Sequence, residues 1–419
     1  MSVADLVRAL SEDAVPVHVE AFDGSTVGNT DSGLTLILHN ERGLRYLLTA
    51  PGDLGLARAY VSGDLELVGA HPGDPYPALQ AMATWRFRRP RIAEVPGLLA
   101  EVGLRRLVPP APPAQEAFPR WRRTVQGWRH SRNRDARAIS SHYDVSNGFY
   151  DYVLGPSMAY TCAVFPTPDA SLEQAQAEKF DLVARKLALG PGMRLLDIGC
   201  GWGGMALHAA REYGVQVVAV TLSKAQAEWA AAAVDRAGLT ARVEVRHGDY
   251  RDSPGVDYDA VSSIGLLEHV GVANYRPYFS FIRDKLRDGG RLLNHCITRP
   301  DNIHRVLPGV FIDRYVFPDG ELTGSGRIIS DAQNAGLEVR HSENLREHYA
   351  LTLRAWCANL VSNWDACVDE VGVPKARVWG LYMAGSRLGF ETNNVQLHQV
   401  LAVKVPDSGD AAFPLRPTW

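Results

Sequence analysis

Cysteine is scarce in this chain: five residues in 419, at positions 162, 200, 296, 357 and 367. The number is odd and no Cys-x-x-Cys pair occurs, which argues against a disulfide framework or a zinc site and points to a reducing compartment. No apolar run approaches the ~20 residues that a membrane-spanning helix needs. The opening residues, Met1-Ser2-Val3-Ala4-Asp5-Leu6-Val7-Arg8, have no basic stretch followed by a long apolar one, so a secretory leader is not expected. These absences predict a cytoplasmic protein. The chain contains 46% hydrophobic and 22% charged residues, the balance of a globular protein long enough for two or three domains.

Net charge is −3, but it is unevenly placed. Between Trp85 and Arg137 stand thirteen arginines and four acids, a local net of +9 that leaves −12 for the remainder. Trp85, Phe87, Trp121 and Trp128 are interleaved with them. Arginine beside tryptophan suits an anionic lipid headgroup boundary; RNA binding, a solvated linker or simple packing of the tryptophans would use the same residues. Pro109-Pro110-Ala111-Pro112-Pro113 is a stiff break that marks a domain boundary. Before it, short apolar stretches (15–19, 34–38, 46–49) alternate with turns and predict strands, followed by a helical piece near Leu54–Val61. The expected organisation is a smaller N-terminal α+β domain over 1–110 that associates with lipid, a basic linker over 111–139, a large domain over 140–405 and a tail over 406–419.

The large domain alternates strands and helices. A helix is predicted over Leu172–Leu187, with Ser171 as its N-cap. Strands are predicted at Arg194–Ile198, Val215–Val220, Arg242–Arg246, Tyr258–Ile264 and Gly290–Cys296, with helices at Lys224–Ala237 and Tyr275–Leu286. That order implies an α/β, doubly wound, Rossmann-like parallel sheet with ligands beyond the strand C-termini. The first strand runs into Asp197-Ile198-Gly199-Cys200-Gly201-Trp202-Gly203-Gly204. Glycines there let backbone N–H groups approach a ligand, and the next helix N-terminus favours an anionic group. A nicotinamide site would place an acid about 20 residues further on; Thr221-Leu222-Ser223 stands there instead. With Asp197 ahead of the first glycine, the pattern points to S-adenosylmethionine and a methyltransferase, with Asp249-Tyr250 as candidates for the adenine edge. After strand four comes Gly265-Leu266-Leu267-Glu268-His269, not the Asn-Pro-Pro-Tyr of enzymes that methylate nucleic-acid amino groups, so no nucleic-acid partner is expected. Glu268 falls where it would face the cofactor's reactive end.

Taken together, Ser141–Asn147, Met158–Ala163, Asp197–Gly204, Val220–Ser223, Leu267–Gly271, His295–Ile297 and Arg314–Gly320 resemble the cyclopropane fatty acid synthase family, densely over about 138–402. Asp53-Leu54-Gly55-Leu56-Ala57-Arg58-Ala59-Tyr60 resembles the extra N-terminal domain of the full-length, phospholipid-acting members. The resemblance implies S-adenosylmethionine bound by Tyr143, Ser146, Tyr160, Thr161, Asp197, Gly199, Gly201, Gly203, Thr221, Leu222, Ser223, Gln226, Asp249 and Tyr250. It implies bicarbonate as a bound base at Cys162, Glu268, His295, Ile297 and Tyr349. Cys296 stands where many members have Thr, and Asn294 where Leu is common. No metal is expected.

The implied chemistry is methyl addition to a cis double bond of an unsaturated phospholipid acyl chain. The resulting carbocation would be faced by aromatic rings, for which Phe311, Tyr315 and Phe317 are candidates. Direct proton loss closes a cyclopropane; a hydride shift first leaves a mid-chain methylene branch, and because actinobacterial enzymes of the latter kind resemble this chain, the branch is the slightly favoured expectation. The residues alone also admit a soluble N- or O-methyltransferase of a small metabolite, or a non-catalytic lipid-binding protein. The family further implies a homo-oligomer, peripheral at the inner face of the membrane.

Overall fold

The computed structural model describes residues 1–88, 91, 93–117, 146–303 and 309–419. The expectations placed on Trp121, Trp128, Tyr143 and the arginines from 120 to 137 lie outside the described residues. The chain divides into two units: 1–117 with 309–316 and 356–388, and 146–303 with 317–355 and 389–419.

In the first unit, strands β1 (His18–Ala21), β2 (Thr26–Val27), β3 (Thr35–Leu38) and β4 (Leu65–Val68) form a sheet in the order β2-β1-β3-β4. Its core gathers Val17, Val19, Leu36, Leu38, Leu44 and Tyr46. The stretch 46–49, expected as a strand, is instead the end of a helix, Glu41–Thr49. The Asn40 side chain accepts the Gly43 N–H at 3.0 Å, and this cap starts the helix that carries Tyr46 into the core.

The motif Asp53–Tyr60 forms most of the helix Asp53–Val61, and several of its residues tie the unit together. Asp53 accepts the Phe311 N–H at 3.1 Å. Gly55 lies so close to the preceding helix that a Cβ would stand 2.4 Å from the Ala50 carbonyl oxygen. Arg58 donates from Nε and Nη2 to the Glu116 carboxylate at 2.6 and 2.8 Å. Glu116 has no exposed side-chain surface; it also pairs with Arg314 and accepts from the Tyr315 hydroxyl at 3.3 Å. Arg377 donates to the Tyr60 carbonyl at 3.0 Å and lies over its ring.

These contacts correct the expected boundaries. The segment 111–117 is part of the N-terminal unit, because its carboxylate is the counter-charge of two arginines. Residues 309–316 and 356–388, expected inside the large domain, belong to the same unit, because they supply Arg314, Tyr315 and Arg377.

The second unit holds β5 (Arg194–Ile198), β6 (Gln216–Thr221), β7 (Val243–His247), β8 (Tyr258–Ile264), β9 (Leu286–Thr298), β10 (Glu338–Asn344) and β11 (Gln396–Val403), in the order β10-β11-β9-β8-β5-β6-β7. The expected doubly wound sheet is present: β7, β6, β5, β8 and β9 pair in parallel. It is not parallel throughout, because β11 runs antiparallel to both β9 and β10. One face is covered by the helices Leu172–Leu187, Gly204–Glu212 and Lys224–Arg236, the other by Tyr275–Lys285 and Ser325–Asn334. The strand order reverses between β5 and β8, which opens a crevice at their C-terminal ends. The tail after 405 is also anchored here: Phe413 lies under the guanidinium groups of Arg291 and Arg340, and Trp419 meets His341 edge-on at 4.9 Å.

Removing Glu116 would leave Arg58 and Arg314 as buried charges without their counter-ion. The Glu116→Ala chain is expected to lose roughly 3–5 kcal/mol of stability in the first unit, visible as an early transition in thermal unfolding. Unfolding coincident with the unmodified chain would show that the cluster does not hold this unit together.

Candidate active site

The crevice begins at the turn after β5. Gly199, Gly201 and Gly203 have φ of +75°, +56° and +87°, the left-handed region that costs a side chain most. At Gly199 and Gly203 a Cβ would also press on Leu266 and Ala230, at 3.2 and 3.1 Å. At Gly201 a Cβ would meet nothing within 4 Å, so its backbone faces open space. The N–H groups of Gly199 and Cys200 are spent on the Val220 carbonyl at 2.9 and 3.0 Å, which ties this turn to the end of β6.

The crevice is lined by Tyr160, Thr161, Asp197, Gly199, Gly201, Thr221, Leu222, Gln226 and Tyr250, nine of the expected cofactor residues. Thr221 donates to the Gln226 side chain at 2.8 Å. Ser223 caps the helix Lys224–Arg236, and Ser146 caps Asn147–Leu154. Asp249 caps a single 3-10 turn, and its carboxylate is held by the Arg251 guanidinium at 2.7 and 2.5 Å. Tyr250, the other candidate for the adenine edge, packs edge-on against Tyr278 and Phe281.

Asp197 and a residue not anticipated, Lys179, bring opposite charges to one wall. Asp197 is buried, accepts from the Ser262 hydroxyl at 2.7 Å with Oδ1, and leaves Oδ2 without a partner among the described residues. Burial raises its pKa to about 6. Lys179 has no exposed surface and donates to the Thr161 hydroxyl at 2.9 Å; burial lowers its pKa to about 7. An unused carboxylate oxygen, a lysine with one hydrogen bond and an open glycine backbone suit the α-amino acid end of S-adenosylmethionine. Gln176 holds this wall in shape, donating to the Thr161 carbonyl at 2.9 Å.

Of the expected catalytic residues, Glu268 stands just after β8 and His295 and Ile297 on β9, while Cys162 precedes the helix Leu172–Leu187 and Tyr349 lies on the helix Arg346–Ser362. Glu268 sits on the short helix Leu267–Val270 and accepts the Ile297 N–H at 2.8 Å with Oε1. Its Oε2 is out of reach of solvent and has no partner among the described residues; burial raises the pKa to about 7. His295 is buried, and its Nε2 is likewise without a partner among the described residues. Burial, reinforced by Lys179 and Lys186, pushes His295 well below its ordinary pKa, so the ring is neutral. The Cys162 thiol is buried and points at the Ala163 carbonyl at 3.2 Å; Tyr349 is buried against the Phe390 ring. Ile297 stands two residues after His295 on β9, the alternation that puts both on one face.

Of the three aromatic candidates, only Phe317 lies in this unit, parallel to Tyr160 at 6.4 Å and edge-on to His269 at 5.6 Å. Phe311 and Tyr315 belong to the first unit, where the Tyr315 hydroxyl is committed to Glu116. Lys179 was missed, although the helix Leu172–Leu187 carries a signal. Gln176, Lys179, Val183 and Lys186 follow helical spacing on its buried face, and polar residues on such a face call for partners.

The family model described as mycolic acid cyclopropane synthetase matches residues 130–400. A probable fatty acid methyltransferase of Mycobacterium tuberculosis is 59% identical over 100% of this chain and 98% of its own length. The tuberculostearic acid methyltransferase of the same organism is 36% identical over 64% of this chain and 65% of its own. Among solved structures, a mycolic acid cyclopropane synthase complexed with SAH and CTAB superposes with a TM-score of 0.61 at 32% identity, covering 64% of this chain and 98% of that one. The model leaves 1–129 unmatched while the first relative spans them, so the N-terminal unit is shared with the longer form. A Rossmann-like sheet, a glycine turn after a buried carboxylate, and these matches place the chain in the cyclopropane synthase family of S-adenosylmethionine-dependent lipid methyltransferases.

Proposed function

We propose that this enzyme adds a one-carbon unit to the cis double bond of unsaturated phospholipid acyl chains, with bicarbonate as a bound base. The product is a methylene branch in preference to a cyclopropane ring. The observation that carries the reading is the pair of buried polar atoms without a partner among the described residues, Glu268 Oε2 and His295 Nε2, on elements joined by the Glu268–Ile297 hydrogen bond. Each unsatisfied group costs about 1–3 kcal/mol, a cost that a bound polar ligand would offset. The methylene branch is favoured by the full-length relative named as a fatty acid methyltransferase and by the one named for tuberculostearic acid.

S-adenosylmethionine supplies an electrophilic methyl group strong enough for an alkene, which is a weak nucleophile. Bicarbonate supplies the base that a methylated, cationic chain requires. The chain's own residues do the rest. Asp197 and Lys179 orient the amino acid end of the cofactor, and Gly201 lets it approach the backbone. His295, held neutral, offers an Nε2–H to an oxyanion, and Glu268, with a pKa near 7, can offer a proton or a charge to the same ligand. The Ile297 N–H and the Cys162 thiol are engaged with protein, so their part is to shape and dry the pocket. Phe317 and Tyr160 present aromatic faces, which attract a cation. A dry pocket matters because water would trap that cation as an alcohol.

Purified chain given S-adenosylmethionine and liposomes of cis-unsaturated phospholipid should add one CH2 unit per double bond, with NMR separating ring from branch. Glu268→Gln and His295→Ala should each lower kcat by ~10²-fold or more while S-adenosylhomocysteine still binds. No mass gain in the lipid, or undiminished turnover in both variants, would overturn the proposal.

The raised pKa values make stability depend on pH in a definite sense. Glu268 moves from 4.5 to about 7 and Asp197 from 3.8 to about 6, so the folded state keeps protons that the unfolded state has released. The contribution of both groups is fully present below the unfolded values and is lost as pH rises toward 7. Burial lowers the pKa of His295 and contributes in the opposite sense, so the test is the difference between chains: the Tm of Glu268→Gln relative to the unmodified chain should rise as pH goes from 4.5 toward 7; a constant difference would refute the assignment.

We also propose that the chain works at an anionic membrane surface, with the arginine-rich segment as its contact; no helix among the described residues is long and apolar enough to cross a membrane. Binding to anionic liposomes should fall steeply as salt rises past 0.1 M, where the screening length is about 10 Å. Salt-insensitive binding would point to an apolar contact instead.

A further inference from the structure

We propose that Lys186 and Gln399 are positioning residues that hold His295 in its Nε2–H tautomer. The inference builds on the reading of His295 given above. Glu343, Gln399 and His295 form one row across the sheet: Glu343 is the register partner of Gln399 between β10 and β11, and Gln399 that of His295 between β11 and β9. Lys186 reaches this row from the last turn of the helix Leu172–Leu187. Its side chain has no exposed surface; it pairs with Glu343 and donates to Gln399 Oε1 at 2.7 Å. The Gln399 Nε2 stands 3.2 Å from His295 Nδ1.

The direction of every bond in this row is forced. The lysine ammonium, paired with the Glu343 carboxylate, can only donate, so the oxygen of the Gln399 amide must face it. The amide NH2 is then left facing His295, and it too can only donate. Nδ1 must therefore accept with its lone pair, and the single proton of the neutral ring resides on Nε2. Nε2 is the buried atom that lacks a partner among the described residues. A charge two side chains away thus decides that His295 presents a donor, not an acceptor, to whatever binds beside Glu268. Gln399 and His295 are almost wholly buried, so water is not available to substitute for either link. An amide free to turn would let Nδ1–H and Nε2–H interconvert, and with Nδ1–H the ring would repel an oxyanion.

The test uses the full chain labelled with 15N-histidine, with the His295 signals identified by their loss in His295→Ala. The unmodified chain should show a protonated Nε2 and a bare Nδ1. In Gln399→Glu the carboxylate can only accept, so the signature should move to a protonated Nδ1 and kcat should fall by ~10–100-fold, with KM for S-adenosylmethionine little changed. In Lys186→Met the amide is released, and a mixture of tautomers with a smaller loss of kcat is expected. A protonated Nδ1 with a bare Nε2 in the unmodified chain would overturn the inference, as would an unaltered signature and kcat in Gln399→Glu. Should Gln399→Glu fail to fold, the spectrum of the unmodified chain and of Lys186→Met still decides. The signature is read without turnover, so it stands apart from the question of what His295 does in the reaction.

Discussion

The pairing of β9 with strands of opposite direction on its two sides is the constraint from which the site follows. Parallel pairing with β8 sets the depth of β9 in the sheet, placing His295 beside Ile264 at the crevice end. Antiparallel pairing with β11 then brings Gln399 opposite His295, and β10 adds Glu343 to the row. A slip of one residue would exchange His295 for Cys296 and turn the imidazole toward the opposite core. The Glu268–Ile297 hydrogen bond fixes the same strand to the turn after β8. His295 is thus positioned by backbone pairing, and Glu268 by a bond from its carboxylate to the same strand.

The two units treat buried charge in opposite ways. Glu116 meets two arginines and a tyrosine, so its desolvation is offset where it stands. Asp197, Glu268 and His295 each keep one buried polar atom unused among the described residues. Three such groups are an expensive arrangement for a structure to maintain, and the raised carboxylate pKa values express that expense in the ligand-free state. The same burial keeps His295 neutral and therefore able to donate one proton rather than repel a cation.

Much of the cofactor site was legible along the chain because it is local. Strand, glycine turn and helix N-terminus are contiguous from Arg194 to Glu212, and period-two and period-3.6 patterns locate their boundaries to within a residue or two. Thr221, Leu222, Gln226 and Tyr250 follow from the next two strand ends by the same logic. The strands β10 and β11 were not legible. β10 alternates in burial but carries six polar or charged residues out of seven, and β11 is buried along nearly its whole length, a pattern that a helix shares.

By itself, then, the sequence determined the α/β class and the glycine turn with Asp197, since motif order and short-range periodicity suffice for these, and it offered Glu268 and His295 as candidates through the family resemblance. Only tertiary structure decided what those residues face. The chain has six lysines, and it took the packed helix Leu172–Leu187 to bring Lys179 to Asp197's crevice and Lys186 to Gln399. It likewise took folding to join Glu116 with Arg314 and Tyr315, 198 and 199 positions away, and so to place Tyr315 in the first unit. The physical reason is that partners separated by so many residues leave no periodic trace: nothing local in a chain states which buried charge will meet which.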